Sequence, residues 1–341
     1  MKTNSAPLPG SAEGGTGVRK FSPDVLSIDA AAVTERITHA IKEQVLGSLR
    51  RRGVVVGLSG GIDSSVVAAL AVRALGKERV LGLFMPERDS SGDSLRLGRV
   101  VAESLGIAAE LEDVGPALDG IGCYRRQVEA IRTVFPDYGD GWKCKITLPS
   151  ILESDRLNVF HLTVRAPSGE MKTSRMSADA FRKLVAATNF KQRVRKMVEY
   201  YHADRLGYAV AGTPNRLEYD QGFFVKQGDG AADFKPIAHL YKTQVYALAR
   251  HLGVAEEICA RPPTTDTYSL DQGQDEFFFA LPYGAMDLCL YGRDHEVPAE
   301  EVAPALGRSA ADVLRVYKDI DAKRRAARYL HERPLLVAEE S

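Results

Sequence analysis

The chain has 341 residues, 45% of them apolar, which is enough for one large α/β domain or two small ones with a substantial core. Lys and Arg together number 45, as do Asp and Glu, so the formal net charge is zero and nothing in it calls for nucleic acid or an acidic membrane as a partner. The cysteines Cys123, Cys144, Cys259 and Cys289 form no CxxC pair, and there is no apolar run of about 18 residues and no signal-peptide order, which together argue against a zinc knuckle, a disulfide scaffold or a membrane span and fit a reducing, cytoplasmic setting.

Residues 1–22 are rich in Gly, Ser and Pro, the composition of a disordered lead-in. Over 29–52, apolar residues at Val33, Ile37, Ile41, Val45 and Leu49 recur at every fourth position, predicting a helix with one face packed on a sheet. Residues 54–65, VVVGLSGGIDSS, read as strand, tight turn and helix. Gly60 and Gly61 let the backbone take positive φ and approach a ligand closely, while the helix start offers unpaired N–H groups and the positive end of its dipole. That is a phosphate cradle, distinct from a Walker loop because no lysine follows the glycines. A strand over 79–85, a helix over 93–105 and a strand over 107–111 continue the alternation. It predicts an α/β fold with a doubly wound parallel sheet and ligands outside the C-terminal strand ends.

The pattern changes between about 120 and 188, where strand-like alternation over 142–148 and 158–165 and a turn at 166–169 predict a small hairpin-bearing insertion. A helix over 189–206 and a strand over 208–212 follow, so Glu218 falls just beyond another C-terminal strand end. The stretch 222–233, GFFVKQGDGAAD, is too glycine-rich for regular structure. An amphipathic helix over 240–252 holds Lys242, a proline-stiffened loop spans 261–266, and helices over 282–291, 299–306 and 309–330 close the chain.

SGGIDSS resembles the SGGxDS pyrophosphate loop of the N-type ATP pyrophosphatases. The order SGGIDSS, NFKQRVRKM, GTPNRLE, FVKQGDGAAD, LYKTQ and RPPTTD resembles the ammonia-dependent NAD synthetases from residue 33 to about 291, apart from the insertion. The resemblance implies a Rossmann-like fold of the adenine nucleotide alpha hydrolase type in one domain over 23–295, with the insertion at about 120–188 and C-terminal helices over 296–341. It also implies the reaction. The nicotinate carboxylate of deamido-NAD attacks the α-phosphorus of ATP, pyrophosphate leaves, and ammonia displaces AMP to give NAD.

By the same resemblance Leu58, Ser59, Gly60, Gly61, Asp63, Ser64, Ser65, Phe84, Met85 and Thr213 would surround ATP. Asp63 and Glu218 would hold Mg2+, which prefers hard oxygen ligands and commonly takes one or two carboxylates beside phosphates. Asn189, Arg193, Tyr200, Lys226, Asp229, Asp233, Lys242 and Thr264 would receive the carboxylate substrate. Asp63, Arg193 and Lys242 would act in catalysis, Arg193 as a planar cation suited to phosphate or carboxylate and Lys242 against charge growing on phosphorus. His202 and His239 read as structural. The resemblance further implies a homodimer, with ammonia free or supplied by a separate glutaminase.

Three departures bear on the substrate. They are the insertion itself, bulky Arg216 and Leu217 ahead of Glu218, and Gln274 to Phe279 in place of the family's acidic and Leu-Gly sequence. They motivate a rival reading in which a different carboxylic acid is adenylated. A tRNA-modifying enzyme fits less well, given zero net charge and no CxxC, as does a nucleotide sensor, given the full set of Asp63, Glu218 and Lys242.

Overall fold

The structure is a computed structural model and describes residues 20–147, 160–262, 267–270, 273, 278–279 and 281–337. Helix α1 (Ala30–Lys42) runs through a π-helical stretch, Glu43–Ser48, towards β1 (Val54–Gly57), α2 (Ile62–Leu75), β2 (Val80–Phe84), α3 (Gly92–Leu105) and β3 (Ala108–Leu111). Next come α4 (Gly115–Gly120), α5 (Cys123–Arg132), β4 (Lys143–Thr147), β5 (His161–Arg165), β6 (Met171–Arg175), α6 (Ala178–Leu206) and β7 (Ala209–Val210). The chain continues with α7 (Arg216–Gln221), α8 (Lys242–His251), α9 (Glu256–Ala260), α10 (Tyr283–Asp294), α11 (Ala299–Leu306) and α12 (Ala310–His331). No helix among the described residues is long and apolar enough to cross a membrane.

Side chains alternate across a strand, so Val54 and Val56 enter one core with α1, α2, α3 and α8, while Val55 enters another beneath α6. Burial on both faces is why β1 reads as an unbroken valine run. Parallel pairing gives the order β3-β2-β1-β7, with Val54 opposite Val80 on one side and Ala209 on the other. The chain passes from β1 to β2 in one direction and later lays β7 on the opposite side. The loops after β1 and β7 therefore open into one crevice, the position where doubly wound sheets bind ligands.

A second, antiparallel sheet of order β4-β5-β6 lies in the central segment. Cys144, Ile146, Leu162 and Val164 are buried from it against α5 and the first half of α6. The third strand, β6, escapes a sequence reading because it is an edge strand with an almost wholly exposed, polar pattern. The long helix begins at Ala178, eleven residues before the expected 189. Ser177 caps it by accepting the Ala180 N–H at 3.1 Å. Thr188 and Asn189, which look like a break, lie inside the helix, where the Thr188 hydroxyl donates to the Leu184 carbonyl at 2.8 Å. The last part of the expected insertion and the expected substrate helix are thus one rod.

At the N-terminus, residues 1–19 lie outside the described residues. The final part of the expected lead-in is packed: Phe21 is buried with α10 and α12, and Ser22 accepts the Asp24 N–H at 3.3 Å.

Lys191 ties α6 to the loop after β2. Its Nζ donates to Glu87 Oε1 at 3.0 Å, Asp89 Oδ2 at 2.7 Å and the Thr267 carbonyl at 3.0 Å, and both Lys191 and the Glu87 side chain are wholly buried. The Tyr124 hydroxyl donates to Glu87 Oε2 at 2.9 Å. Removing one member of a buried pair strands the other charge. Lys191→Ala should therefore lower the unfolding free energy by about 3–5 kcal/mol, read as a fall in the urea midpoint.

Candidate active site

The turn after β1 is shaped by glycine. Gly60 has φ of 71°, and a Cβ there would lie 2.5 Å from the Ser94 carbonyl oxygen, so both conformation and space require the bare backbone. Helix α2 starts earlier than its alanine-rich run, at Ile62, which puts Asp63, Ser64 and Ser65 in its first turn. Ser59 accepts the Gly61 N–H at 3.3 Å and lies 3.2 Å from the Ser64 hydroxyl. Ser64 and Ser65 donate to the Gly61 carbonyl at 3.0 and 2.8 Å.

Across the crevice, Lys242 is the first residue of α8, fully buried, and its Nζ forms an ion pair with Asp63 Oδ2. Asp63 Oδ1 accepts from Asn215 Nδ2 at 3.1 Å. Asn215 is also the N-cap of α7, and with Glu218 it makes a reciprocal capping box: Glu218 N–H donates to Asn215 Oδ1, and Asn215 N–H to Glu218 Oε2, each at 3.2 Å. Burial and the neighbouring Asp63 push the Glu218 carboxyl up to about 8, against the opposing pull of Lys242. Burial lowers the Lys242 ammonium, but Asp63 and Glu218 outweigh it and hold it above its ordinary value. Behind Lys242, the buried Asp287 of α10 accepts the N–H groups of Lys242 at 3.3 Å and Thr243 at 2.7 Å, capping α8.

Two adjoining cavities occupy the crevice. The smaller, about 180 Å³, is lined by Leu58, Ser59, Phe84, Met85 and Thr213 among the expected ATP residues. The larger, about 510 Å³, is lined by Ser59, Gly60, Gly61, Asp63, Ser64, Thr213, Glu218 and Lys242, and from the expected substrate set by Asn189 and Asp229. Ser65 is buried and lines neither. Arg193, Tyr200, Lys226 and Asp233 lie outside both cavities as a separate group. Arg193 Nε donates to the Lys226 carbonyl and the Tyr200 hydroxyl to Asp233 Oδ1, both at 3.3 Å. Lys226 Nζ reaches the carbonyls of Tyr329 and Glu332 at 2.7 and 3.1 Å. Thr264 lies outside the described residues.

Several residues of the site are not among those expected to surround ATP, although Gln192, Arg195 and Lys196 fall inside the NFKQRVRKM motif. Gln192, Arg195, Lys196 and Glu199 of α6 line the smaller cavity. Arg195 Nε donates to the Met85 carbonyl at 3.0 Å, and Lys196 pairs with Glu199 at 2.6 Å. Their i, i+3, i+4, i+7 spacing with Gln192 marks one helix face and could have revealed them. Asp287 could have been flagged as the single charge in an apolar helical run, MDLCL. One departure from the family pattern, the bulky pair ahead of Glu218, points away from the two cavities. Leu217 is buried among α10 to α12, and Arg216 pairs with Asp294 at 2.7 Å. In the departure at 274–279, Phe278 lines the larger cavity, whereas 274–277 lie outside the described residues. His202 is structural in its contacts, bound to Glu112 at 2.8 Å and accepting from Arg205 Nε at 3.1 Å.

The NAD synthase family model matches residues 33–130 and 157–327, leaving out 131–156 and running past the limit of the motif resemblance. The chain is 67% identical over 315 residues to the NH3-dependent NAD+ synthetase of Mesorhizobium japonicum, covering 92% of this chain and 99% of that one. It is 38% identical over 266 residues to the protein of that name from Thermotoga neapolitana, covering 75% and 85%. Among solved structures, the NH3-dependent NAD synthetase of Campylobacter jejuni shares the fold with a TM-score of 0.59 at 22% identity, covering 91% of this chain and all (100%) of that one. The glutamine-dependent NAD+ synthetase of Acinetobacter baumannii matches with a TM-score of 0.51 at 18% identity, this chain spanning 48% of it. On the extent of the family match and the identity to full-length relatives, the chain belongs to the NAD synthase family.

Proposed function

We propose that the chain is an ammonia-dependent, AMP-forming ligase that converts deamido-NAD to NAD with ATP. The observation that carries this reading is the meeting of Asp63, Glu218 and Lys242 in one cavity beside the glycine turn and the start of α2. A carboxylate is a poor acyl donor, so it must first be activated. The adenine end of ATP would lie in the smaller cavity against Leu58, Phe84 and Met85, and Thr213 on the shared wall would adjoin the α-phosphate. The N–H groups around Gly60 to Ser64 would hold the leaving pyrophosphate.

Lys242, freed from Asp63 by the incoming phosphates, would bring its ammonium to the charge that grows on phosphorus as the carboxylate attacks. Ammonia then attacks the acyl carbon and AMP leaves. Enclosure by Phe160, Phe181, Phe223 and Phe278 would keep water from the adenylate. The rival reading, another carboxylic acid, has no observation of its own in the cavity to favour it.

The residues present fit a divalent ion. Glu218 and Asp63 are two hard carboxylates facing one ammonium, and a divalent cation would offset the burial and the Asp63 charge that raise the Glu218 carboxyl. Asp63 and Glu218 would be its protein ligands, and bound Mg2+ would supply neutralisation of the pyrophosphate charge. Arg193, Tyr200, Lys226 and Asp233 would serve the remote end of the dinucleotide at a surface covered by a second copy of the chain. The exposed Met197 and Tyr201 on α6 support such an interface.

Purified protein given ATP, Mg2+ and ammonium should form AMP and pyrophosphate in step with NAD only when deamido-NAD is present. Pyrophosphate release indifferent to deamido-NAD would overturn the substrate assignment. Lys242→Met and Asp63→Asn should each lower kcat by roughly 10²–10³-fold, the range for loss of one preorganised electrostatic contact. AMP formation untouched in Asp63→Asn would remove that residue from the site.

A pH test addresses the support behind Lys242. Burial raises the Asp287 carboxyl from the ordinary 3.8 to about 6 in the folded protein, so folding takes up a proton between those values. Stability supplied by the neutral carboxyl is complete below the unfolded value and is lost as pH rises through the folded one. Relative to Asp287→Asn, the wild type should lose unfolding free energy from about pH 4 to pH 6, by at most about 1.4 kcal/mol per pH unit. Parallel pH profiles for the two proteins in urea unfolding would contradict it.

A further inference from the structure

A third cavity, about 640 Å³, lies between α5, the loop after β2 and the start of β4. Much of its wall, from Arg132 through Cys144, is in the segment that the family model leaves out. Four cations line it, Arg88, Arg132, Lys143 and Arg261, against the two acids Asp89 and Asp140. Asp89 is shared between Lys191 at 2.7 Å and Arg88 at 3.4 Å, which leaves Arg132, Lys143 and Arg261 facing the single acid Asp140. Arg132 is fixed by its Nε, which donates to the Tyr138 carbonyl at 2.7 Å. Trp142 is half-buried in the wall beside Tyr138, their ring centroids 5.9 Å apart.

A cavity of this size is that of a small-molecule site and far larger than a lone phosphate needs. Guanidinium and ammonium groups suit phosphate, and a half-buried indole tilted at 57° to a phenol ring gives an aromatic wall for a planar base. We propose that this cavity is a second nucleotide site, taking a phosphate-bearing mono- or dinucleotide on Arg132, Lys143 and Trp142. It adjoins the catalytic crevice, since Ser90 and Ser91 also line the smaller cavity there. An occupant would therefore press on the same loop that borders the ATP site.

Trp142 is the only tryptophan of the chain, so its fluorescence reports on this wall. AMP and NAD, titrated into the full-length protein, should change that signal saturably, and inorganic tripolyphosphate should not match them. AMP and NAD arms separate a mononucleotide from a dinucleotide ligand. Lys143→Glu should weaken the response about tenfold, the effect of losing one charge-assisted phosphate contact. Arg132→Ala should do the same by a different route, and both variants should keep the NAD-forming kcat.

Equilibrium dialysis of labelled AMP should count two per wild-type chain and one in Lys143→Glu. If the catalytic reading alone is wrong, the wild type binds one AMP that Lys143→Glu loses. If this proposal is wrong, AMP binding and the fluorescence response survive Lys143→Glu unchanged, or tripolyphosphate reproduces the response in full.

Discussion

Two carboxylates and one ammonium, Asp63, Glu218 and Lys242, share a buried crevice at the point where the sheet order reverses, and most of the architecture around it exists to hold them there. Burial penalises charge, so each group must be fixed by partners that cannot drift. Asp63 is held by Asn215 and Lys242, Glu218 by the Asn215 capping box, and the Lys242 backbone by Asp287. Apart from the Asn215–Glu218 box, which is local to the first turn of α7, each of these partners is distant in sequence from the group it holds. The cluster can form only when β1, β7, α8 and α10 are all in place.

The same partners also terminate helices. Helices α2, α7 and α8 all begin at the crevice, and their first turns carry Asp63, Glu218 and Lys242 respectively. A helix start needs its free N–H groups satisfied, and Asn215 and Asp287 do this while ordering the site. Capping and the geometry of the crevice are therefore one arrangement. A substitution at either cap would act on stability and on the position of a candidate site residue together.

The sheet and its switch point were legible because β1, β2 and the helices between them follow their periodicities closely. Val54 to Val56 announce burial on both faces, and Gly60 and Gly61 announce a turn that tolerates no side chain. The central segment was less legible. Edge strand β6 has no apolar face to betray it, and the start of α6 is masked by Thr188 and Asn189, whose turn-like character is overridden by the surrounding helix. Within the site, the motif order named residues on loops, at helix starts and, with Asn189 and Arg193, inside α6, but did not pick out the α6 face that lines the smaller cavity. Gln192, Arg195 and Lys196 lie in NFKQRVRKM but only their helical spacing with Glu199 points to the smaller cavity, and Asp287 lies in no motif.

The continuity of α6 changes what the central segment can do. A 29-residue helix is stiff, and this one has Leu184 in the core of the second sheet and its 192–199 face on the smaller cavity. Lys191, between them, fastens the rod to the loop after β2. Phe160, just before β5, stacks on Phe181 of the rod at 3.8 Å, and both line the larger cavity. The second sheet is thus neither a detached decoration nor a lid on a hinge. It adjoins the larger cavity through Phe160 and, by its packing on α6, sets the position of one wall, so a shift of that packing would be felt in the cavity.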